Sequence, residues 1–142
     1  MRSRLILDTS ALIAALDPDQ LDHAACVAVL RECQDPVLSP FVLAELDYFV
    51  RRDRSTADEL ELLSEVASGA LPLAGFSADD VRMAHAVIEH NANLDIGLTD
   101  ASLVVLAHRH DTHDLFTLDH RHLRAVQALD GKPFRLLPAD VA

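Results

Sequence analysis

Aromatic residues are scarce in this sequence, which contains five phenylalanines, one tyrosine and no tryptophan among its 142 residues. Proteins that bind single-stranded nucleic acid without sequence preference stack successive bases on exposed aromatic rings. Such a surface needs several exposed rings. The composition therefore argues against indiscriminate binding of single strands.

Cysteines and long apolar runs are also lacking. The two cysteines, Cys26 and Cys33, lie seven residues apart in a predicted helix, roughly 10 Å from each other and too far for a disulfide. No run of about 18 apolar residues could span a bilayer, and the N-terminal apolar run is interrupted at Asp8, unlike a secretory signal. We therefore expect free thiols and a cytoplasmic protein that does not contact membranes.

Positive charge is the third shortage. The 12 Lys and Arg residues are outnumbered by 23 Asp and Glu residues, the net charge is −11, and Lys132 is the only lysine. This balance argues against nucleic-acid binding by a general basic surface. A phosphate-bearing substrate would need a local group of arginines or a metal ion.

Half of the residues are hydrophobic, and most of these are aliphatic. They form short strand-like runs at residues 5–7, 37–38, 71–74, 115–117 and 134–137, which alternate with helical patterns. The helical patterns cover residues 11–16, 20–33, 41–50, 57–67, 81–90 and 100–109. This alternation predicts an α/β fold, specifically a three-layer α/β/α sandwich with a parallel sheet of about five strands, in one domain over residues 1–142.

Several helix ends can be assigned from single residues. Ser39 followed by Pro40 is typical of an N-cap and the first helical residue. Ser77 precedes two aspartates, a pattern that also predicts a helix start, and Gly69 predicts a helix end.

Four acidic residues stand in or beside the apolar segments. Asp8 ends the first strand, and Asp119 follows the strand-like "LFTL". Asp100 opens the apolar helix in "GLTDASLVVLA", with Thr99 as its expected N-cap, and Glu45 lies in the helix "SPFVLAELDYFV". Ligands bind beyond the carboxyl ends of the strands in open α/β sheets, and we expect the four acids to meet at that edge.

Each acid alone has a simpler interpretation, as a helix cap or as part of a polar stripe. Together, in apolar surroundings, the four charges would raise one another's pKa and destabilise the fold unless a cation neutralised them. The single lysine lies near the C-terminus. A divalent cation is the expected counterion, and oxygen ligands favour Mg²⁺ or Mn²⁺.

Four segments of the chain resemble the PIN domain, and specifically the VapC-type ribonuclease toxins of bacterial toxin–antitoxin pairs. They are "LDTSALIAAL" around Asp8, "SPFVLAELDYFV" around Glu45, "GLTDASLVVLA" around Asp100 and "LFTLDHRHL" around Asp119. The resemblance covers essentially the whole chain. It implies a PIN-like fold and a Mg²⁺- or Mn²⁺-dependent endoribonuclease that cuts a structured RNA, such as a tRNA or ribosomal RNA loop.

The resemblance also implies roles for individual residues. Asp8 and Asp100 would be the principal metal ligands, and Glu45 and Asp119 would complete the catalytic, metal-binding set directly or through water. Whether one ion or two would bind stays open. Three hydroxyl groups would orient these carboxylates, those of Thr9, Ser10 and Thr117.

Three macromolecular partners follow from the resemblance. A cognate VapB-like antitoxin would dock in an apolar groove between the helices at residues 11–30 and 41–54, and two copies of the chain would form a homodimer. RNA would be held beside the acids by arginines, for which an ordinary solvated surface is the alternative interpretation. These arginines are Arg51, Arg52, Arg54 and Arg121, with Arg124 nearby.

Two alternative functions remain. A haloacid-dehalogenase-like phosphatase also begins with an Asp after its first strand, but it would have a second Asp where this chain has Ser10, and a later lysine. A catalytically inactive PIN scaffold that acts as a binding module would keep the acids without turnover.

The histidines form a separate cluster late in the chain. His108, His110 and His113 lack the HExxH spacing, which argues against a zinc site. His120 and His122 follow Asp119 by one and three residues, and whether they contact a substrate stays open.

Overall fold

The computed structural model of the protein describes residues 4–141. Within this range it has four strands, β1 (Arg4–Leu7), β2 (Asp35–Leu38), β3 (Asp114–Phe116) and β4 (Arg135–Leu137). They form one parallel sheet in the order β2-β1-β3-β4. Leu5, Ile6 and Leu7 are each at most 3% exposed, and successive strand residues point to opposite faces. Both faces of the sheet are therefore covered, which confirms the predicted α/β sandwich.

The predicted strand at residues 71–74 is reduced to a single pairing between Leu38 and Leu73. Leu38 donates its N–H to the carbonyl of Pro72 at 3.0 Å and accepts from the N–H of Ala74 at 2.8 Å. Proline has no N–H, and Leu73 is 50% exposed, so neither hydrogen bonds nor burial extend the pairing. The described sheet therefore has four strands, one fewer than the sequence predicted.

Seven α-helices and a 3-10 turn (Ala92–Leu94) connect the strands within the described residues. The helices are α1 (Thr9–Leu16), α2 (His23–Glu32), α3 (Pro40–Asp53), α4 (Thr56–Ser68), α5 (Ala78–His90), α6 (Leu98–Arg109) and α7 (His120–Leu123). Residues 101–107 of α6 are all buried, and this helix packs against α3, α5, β1 and β3. Its central position explains why its sequence is apolar on every side.

The predicted helix caps are confirmed with one exception. The Ser39 side chain caps α3, Ser77 forms a capping box at the start of α5, and Gly69 ends α4 in the left-handed region at φ 90°. The N-cap of α6 is Gly97, so the assignment of Thr99 to that position is wrong. Thr99 lies instead inside the first turn of α6.

The prediction of one domain over residues 1–142 stays a prediction, and residues 1–3 and 142 lie outside the described range. Both cysteines are free thiols, Cys26 buried in α2 and Cys33 directly after it. Between residues 4 and 141, every helix is too short or too polar to cross a bilayer.

Candidate active site

Asp8 follows β1 directly and is the N-cap of α1, and it is only 5% exposed. One carboxylate oxygen, Oδ1, accepts a hydrogen bond from the N–H of Thr9 at 2.8 Å. The other, Oδ2, accepts from the hydroxyl of Thr117 at 2.7 Å and lies 3.4 Å from that of Ser10. Among the described residues, the buried hydroxyl of Thr9 itself has no hydrogen-bond partner. The hydroxyls of Ser10 and Thr117 therefore support Asp8 directly, whereas Thr9 does so through its backbone.

The hydroxyls of Ser10 and Thr117 also connect two parts of the chain. Thr117 accepts from the N–H of Asp119 at 3.0 Å, and Ser10 accepts from the N–H of Leu118 at 2.9 Å. The two hydroxyl oxygens are 3.3 Å apart, and because Thr117 donates its only proton to Asp8, the single hydroxyl proton of Ser10 is shared between the oxygens of Thr117 and Asp8. The start of α1 and the segment after β3 are thereby held together at the carboxyl ends of adjacent strands.

Asp119 caps the short helix α7 and contacts His122 twice. Its Oδ1 accepts from the N–H of His122 at 3.2 Å, and its Oδ2 lies 3.0 Å from the ring Nδ1 of the same residue. Because an ionised carboxylate only accepts, the ring nitrogen donates in this contact. Asp100, Asp119 and His122 each place one ligand atom within 4.8 Å of the others, the one such group found among the described residues. Asp95, by contrast, is exposed after the 3-10 turn.

Asp100 lies in the first turn of α6 and is half-buried. Its pKa is raised to about 6, first by burial and then by the negative charges of Asp8 and Asp119. His122 opposes this shift in pKa, and Glu45 adds to it. Asp100 is therefore close enough to all the other predicted acids to be affected by their charges.

Glu45 is exposed on α3, yet its charge acts on the buried acids. Burial raises the pKa of Asp8, the hydrogen bonds from Thr117 and Thr9 oppose the increase, and the charges of Asp119 and Glu45 add to it. The structure thus brings the four predicted acids into one electrostatically coupled group, with Glu45 at its solvent side.

The other histidines do not join this group. His113 contacts Asp130 at 2.7 Å, and His108 and His120 are exposed. The sequence predicted no place in the acidic group for His122, for which only contact with a substrate stayed open. Its spacing of three residues from Asp119 is the available signal, and this spacing has meaning only if residues 120–123 form a helix.

Most of the predicted RNA-binding arginines are paired with acids. The pairs are Arg52 with Asp53 at 2.7 Å, Arg54 with Asp58 at 3.1 Å, and Arg124 with Asp140 at 2.6 Å. Arg51 and Arg121 are exposed and make no ion pair within the described part of the chain. Much of the local positive charge near the acids is therefore already neutralised.

A family model of the PIN domain matches residues 5–128. This chain belongs to the PIN domain family. All four coupled acids lie within the matched part of the domain. The match does not favour the haloacid-dehalogenase-like alternative.

This PIN domain is similar in sequence to one bacterial ribonuclease and in structure to two solved proteins. Ribonuclease VapC26 of Mycobacterium tuberculosis is 39% identical over 135 residues, which cover 94% of this chain and 100% of the relative. The crystal structure of VapC20 from the same species, described as a toxin that cleaves the sarcin–ricin loop, matches with a TM-score of 0.74 at 15% identity, over 81% of this chain and 89% of that one. VapBC2 of Rickettsia felis, solved with a DNA fragment from its promoter, matches with a TM-score of 0.67 at 20% identity, over 94% and 98% of the two chains. These two structural matches support the fold.

Proposed function

We propose that this PIN domain is a metal-dependent endoribonuclease and the toxin of a toxin–antitoxin pair. Its similarity to Ribonuclease VapC26 supports ribonuclease activity. The observation that carries the proposal is the crowding of three other carboxylates around Asp100, whose pKa is raised to about 6. A fold that only bound a protein partner would gain nothing from this unfavourable concentration of charge.

The residues present fit a divalent cation. Asp100 and Asp119 offer ligand atoms within 4.8 Å of each other and of a nitrogen of His122, and Asp8 lies beside them under hydroxyl support. We assign these residues and Glu45 to the metal-binding set. Because the set is dominated by carboxylate oxygens, it favours Mg²⁺ or Mn²⁺ over softer ions.

The chemistry that a bound ion supplies is activation of water and neutralisation of charge on the phosphate oxygens. The protein's own side chains prepare the site for it. Thr117 and Ser10 fix the orientation of the Asp8 carboxylate, and His122 fixes that of Asp119. Carboxylates held in this way lose little side-chain entropy when a ligand binds.

We infer that a VapB-like antitoxin neutralises the toxin by docking in the apolar groove between α1, α2, α3 and α4. This groove has a volume of about 340 Å³, and its lining includes Leu12, Val27, Leu30, Leu46 and Leu62. It lies between the two helical regions that the sequence predicted for the antitoxin site. A homodimer, a structured RNA target such as a tRNA or ribosomal RNA loop, and action in the cytoplasm complete the proposal.

Cleavage of total RNA by purified, antitoxin-free protein in Mg²⁺ tests the proposed activity. We expect Asp100→Asn to lose cleavage by about 100-fold or more, because it removes a charged ligand. The matched control is Asp95→Asn, an exposed position five residues earlier, which should cleave like the wild type.

Equal cleavage by the wild type and Asp100→Asn would identify a contaminating nuclease and overturn the assignment. If the wild type bound RNA but cleaved none in either Mg²⁺ or Mn²⁺, the inactive scaffold would be correct instead.

A further inference from the structure

An exposed aromatic residue lies on the same face of α3 as the acid Glu45. Tyr48 follows Glu45 by three residues and precedes Arg52 by four, so the three side chains are neighbours on the helix surface. Tyr48 is 59% exposed. It is also the only tyrosine of a chain that has no tryptophan.

The ring of Tyr48 is held in place by its neighbours. Its centroid lies 5.6 Å from that of Phe49 at an interplanar angle of 71°, and the guanidinium carbon of Arg52 lies over the ring at 5.4 Å. Arg52 is in turn fixed by two hydrogen bonds to Asp53, at 2.7 and 2.9 Å. Because the ring is ordered before any ligand binds, stacking on it costs little additional conformational entropy.

We propose that Tyr48 stacks one unpaired base of the RNA substrate while the neighbouring phosphate enters the acidic site. This proposal rests on the proposed ribonuclease function and narrows its substrate. The surface offers one exposed ring beside the acids and therefore accepts a single base. An RNA loop in which one nucleotide is splayed out presents such a base.

The surroundings of Tyr48 favour a polyanion over an apolar partner. Arg51, three residues after the ring, is exposed and makes no ion pair within the described part of the chain, whereas Arg52 is paired with Asp53. A protein-docking face would need a continuous apolar patch, whereas a stacked base needs one ring and a nearby cation.

The lone tyrosine provides a direct optical test. Tyrosine emission of the protein comes from Tyr48 alone, since the chain has no tryptophan. We expect a hairpin RNA with an unpaired loop to quench this emission when it is added to the cleavage-deficient Asp100→Asn protein in Mg²⁺. A fully paired RNA of equal absorbance should not quench it, which corrects for light absorbed by the RNA.

Affinity measured by fluorescence anisotropy of a labelled hairpin provides the second readout. In the Asp100→Asn background, Tyr48→Leu should weaken binding of the hairpin about tenfold, whereas Tyr48→Phe keeps a ring and should retain the affinity. Leu60→Ala, which shortens an exposed side chain on α4, is the matched control and should leave the affinity unchanged. Far-UV circular dichroism checks that each variant is folded.

Unchanged affinity in Tyr48→Leu together with unquenched emission would overturn base stacking. If Tyr48→Leu changed only the oligomeric state measured by light scattering, this face of α3 would be a protein interface. This result would also overturn the proposal. Failure of the proposed ribonuclease function can be distinguished from failure of base stacking. The first would appear as a lack of RNA cleavage by the wild type, whereas the second concerns only the affinity and the emission measured at Tyr48.

Discussion

The carboxyl group of Asp100 is half-protonated near pH 6 in the folded protein without metal, far above its ordinary pKa of 3.8. Between these two values the folded state binds more protons than the unfolded state. The free energy of unfolding must therefore decrease as the pH rises from about 4 to about 6. The acid group by itself is thus destabilising at neutral pH.

The variant Asp100→Asn tests this cost at the residue scale. In the presence of chelator, we expect the variant to have a higher free energy of unfolding than the wild type at pH 7.5. This difference should be about 1 kcal/mol larger at pH 7.5 than at pH 4.5, and it is modest because water reaches part of the Asp100 carboxylate. Urea denaturation at the two pH values measures the difference. An advantage independent of pH in Asp100→Asn would contradict the elevated pKa.

Residue-level prediction from the sequence depended on position relative to the strands. Asp8 and Asp119 were recognised because each follows an apolar run, and the ends of neighbouring parallel strands share an edge. The contact between His122 and Asp119 was not foreseeable in the same way. It requires α7, a helix of four residues that is too short to produce a periodic pattern.

Two elements that carry acids are joined by a pair of buried serines. The hydroxyl of Ser102 in α6 donates to the carbonyl of Thr99 at 2.6 Å and lies 2.8 Å from the hydroxyl of Ser39, the N-cap of α3. Ser39 therefore donates to Ser102, and it accepts from the N–H of Phe41 at 3.2 Å. This contact fixes the helix of Glu45 relative to the first turn of α6.

Replacing Ser39 tests the connection between α3 and α6. Ser39→Ala should lower the free energy of unfolding by about 1–2 kcal/mol, because it removes a cap and leaves the Ser102 hydroxyl with one partner fewer. It should also reduce RNA cleavage, because α3 carries Glu45. Urea denaturation and the cleavage assay measure the two effects.

Ser55→Ala is the control, because Ser55 caps α4 at an exposed position away from the acids. It should cost about 0.5–1 kcal/mol and leave cleavage unchanged. If both serine variants cleaved like the wild type, the Ser39–Ser102 contact would have no role in the site.

At the scale of elements, the sequence predicted most helices but not every boundary. The caps at Ser39, Ser77 and Gly69 were correct because they depend on local backbone chemistry. The strand at residues 71–74 was wrong because its apolar pattern contains Pro72, which cannot donate to a ladder. Thr99 was misplaced because Gly97, which has no side chain for capping, takes the N-cap position of α6.

For the whole molecule, the parallel sheet was predictable and the order of its strands was not. Alternation of strands and helices determines the direction of the strands, whereas their order depends on which helices cover which face. The order β2-β1-β3-β4 places β1 and β3 side by side, with Asp8 directly after β1 and Thr117 directly after β3. The chain as a whole carries a net charge of −11.

Addition of metal should stabilise the whole domain. At about ten times its Kd, Mn²⁺ should add about 1.4 kcal/mol to the free energy of unfolding, which corresponds to a rise of about 3–5 °C in Tm for a domain of this size. Differential scanning fluorimetry with Mn²⁺ and with chelator measures the shift. Asp95→Asn should show the full shift and Asp100→Asn little of it, and equal shifts in both variants would mean that the ion binds elsewhere.

The single pairing of Leu38 with residues 72–74 has a consequence for association between molecules. Strand residues direct their backbone groups alternately to the two neighbouring strands, so Pro36 and Leu38 are the residues of β2 that face outward. The N–H of Leu38 is already bonded, and Pro36 has none. β2 itself therefore offers no amide proton from these two residues to an incoming peptide, which disfavours edge-to-edge pairing along this strand.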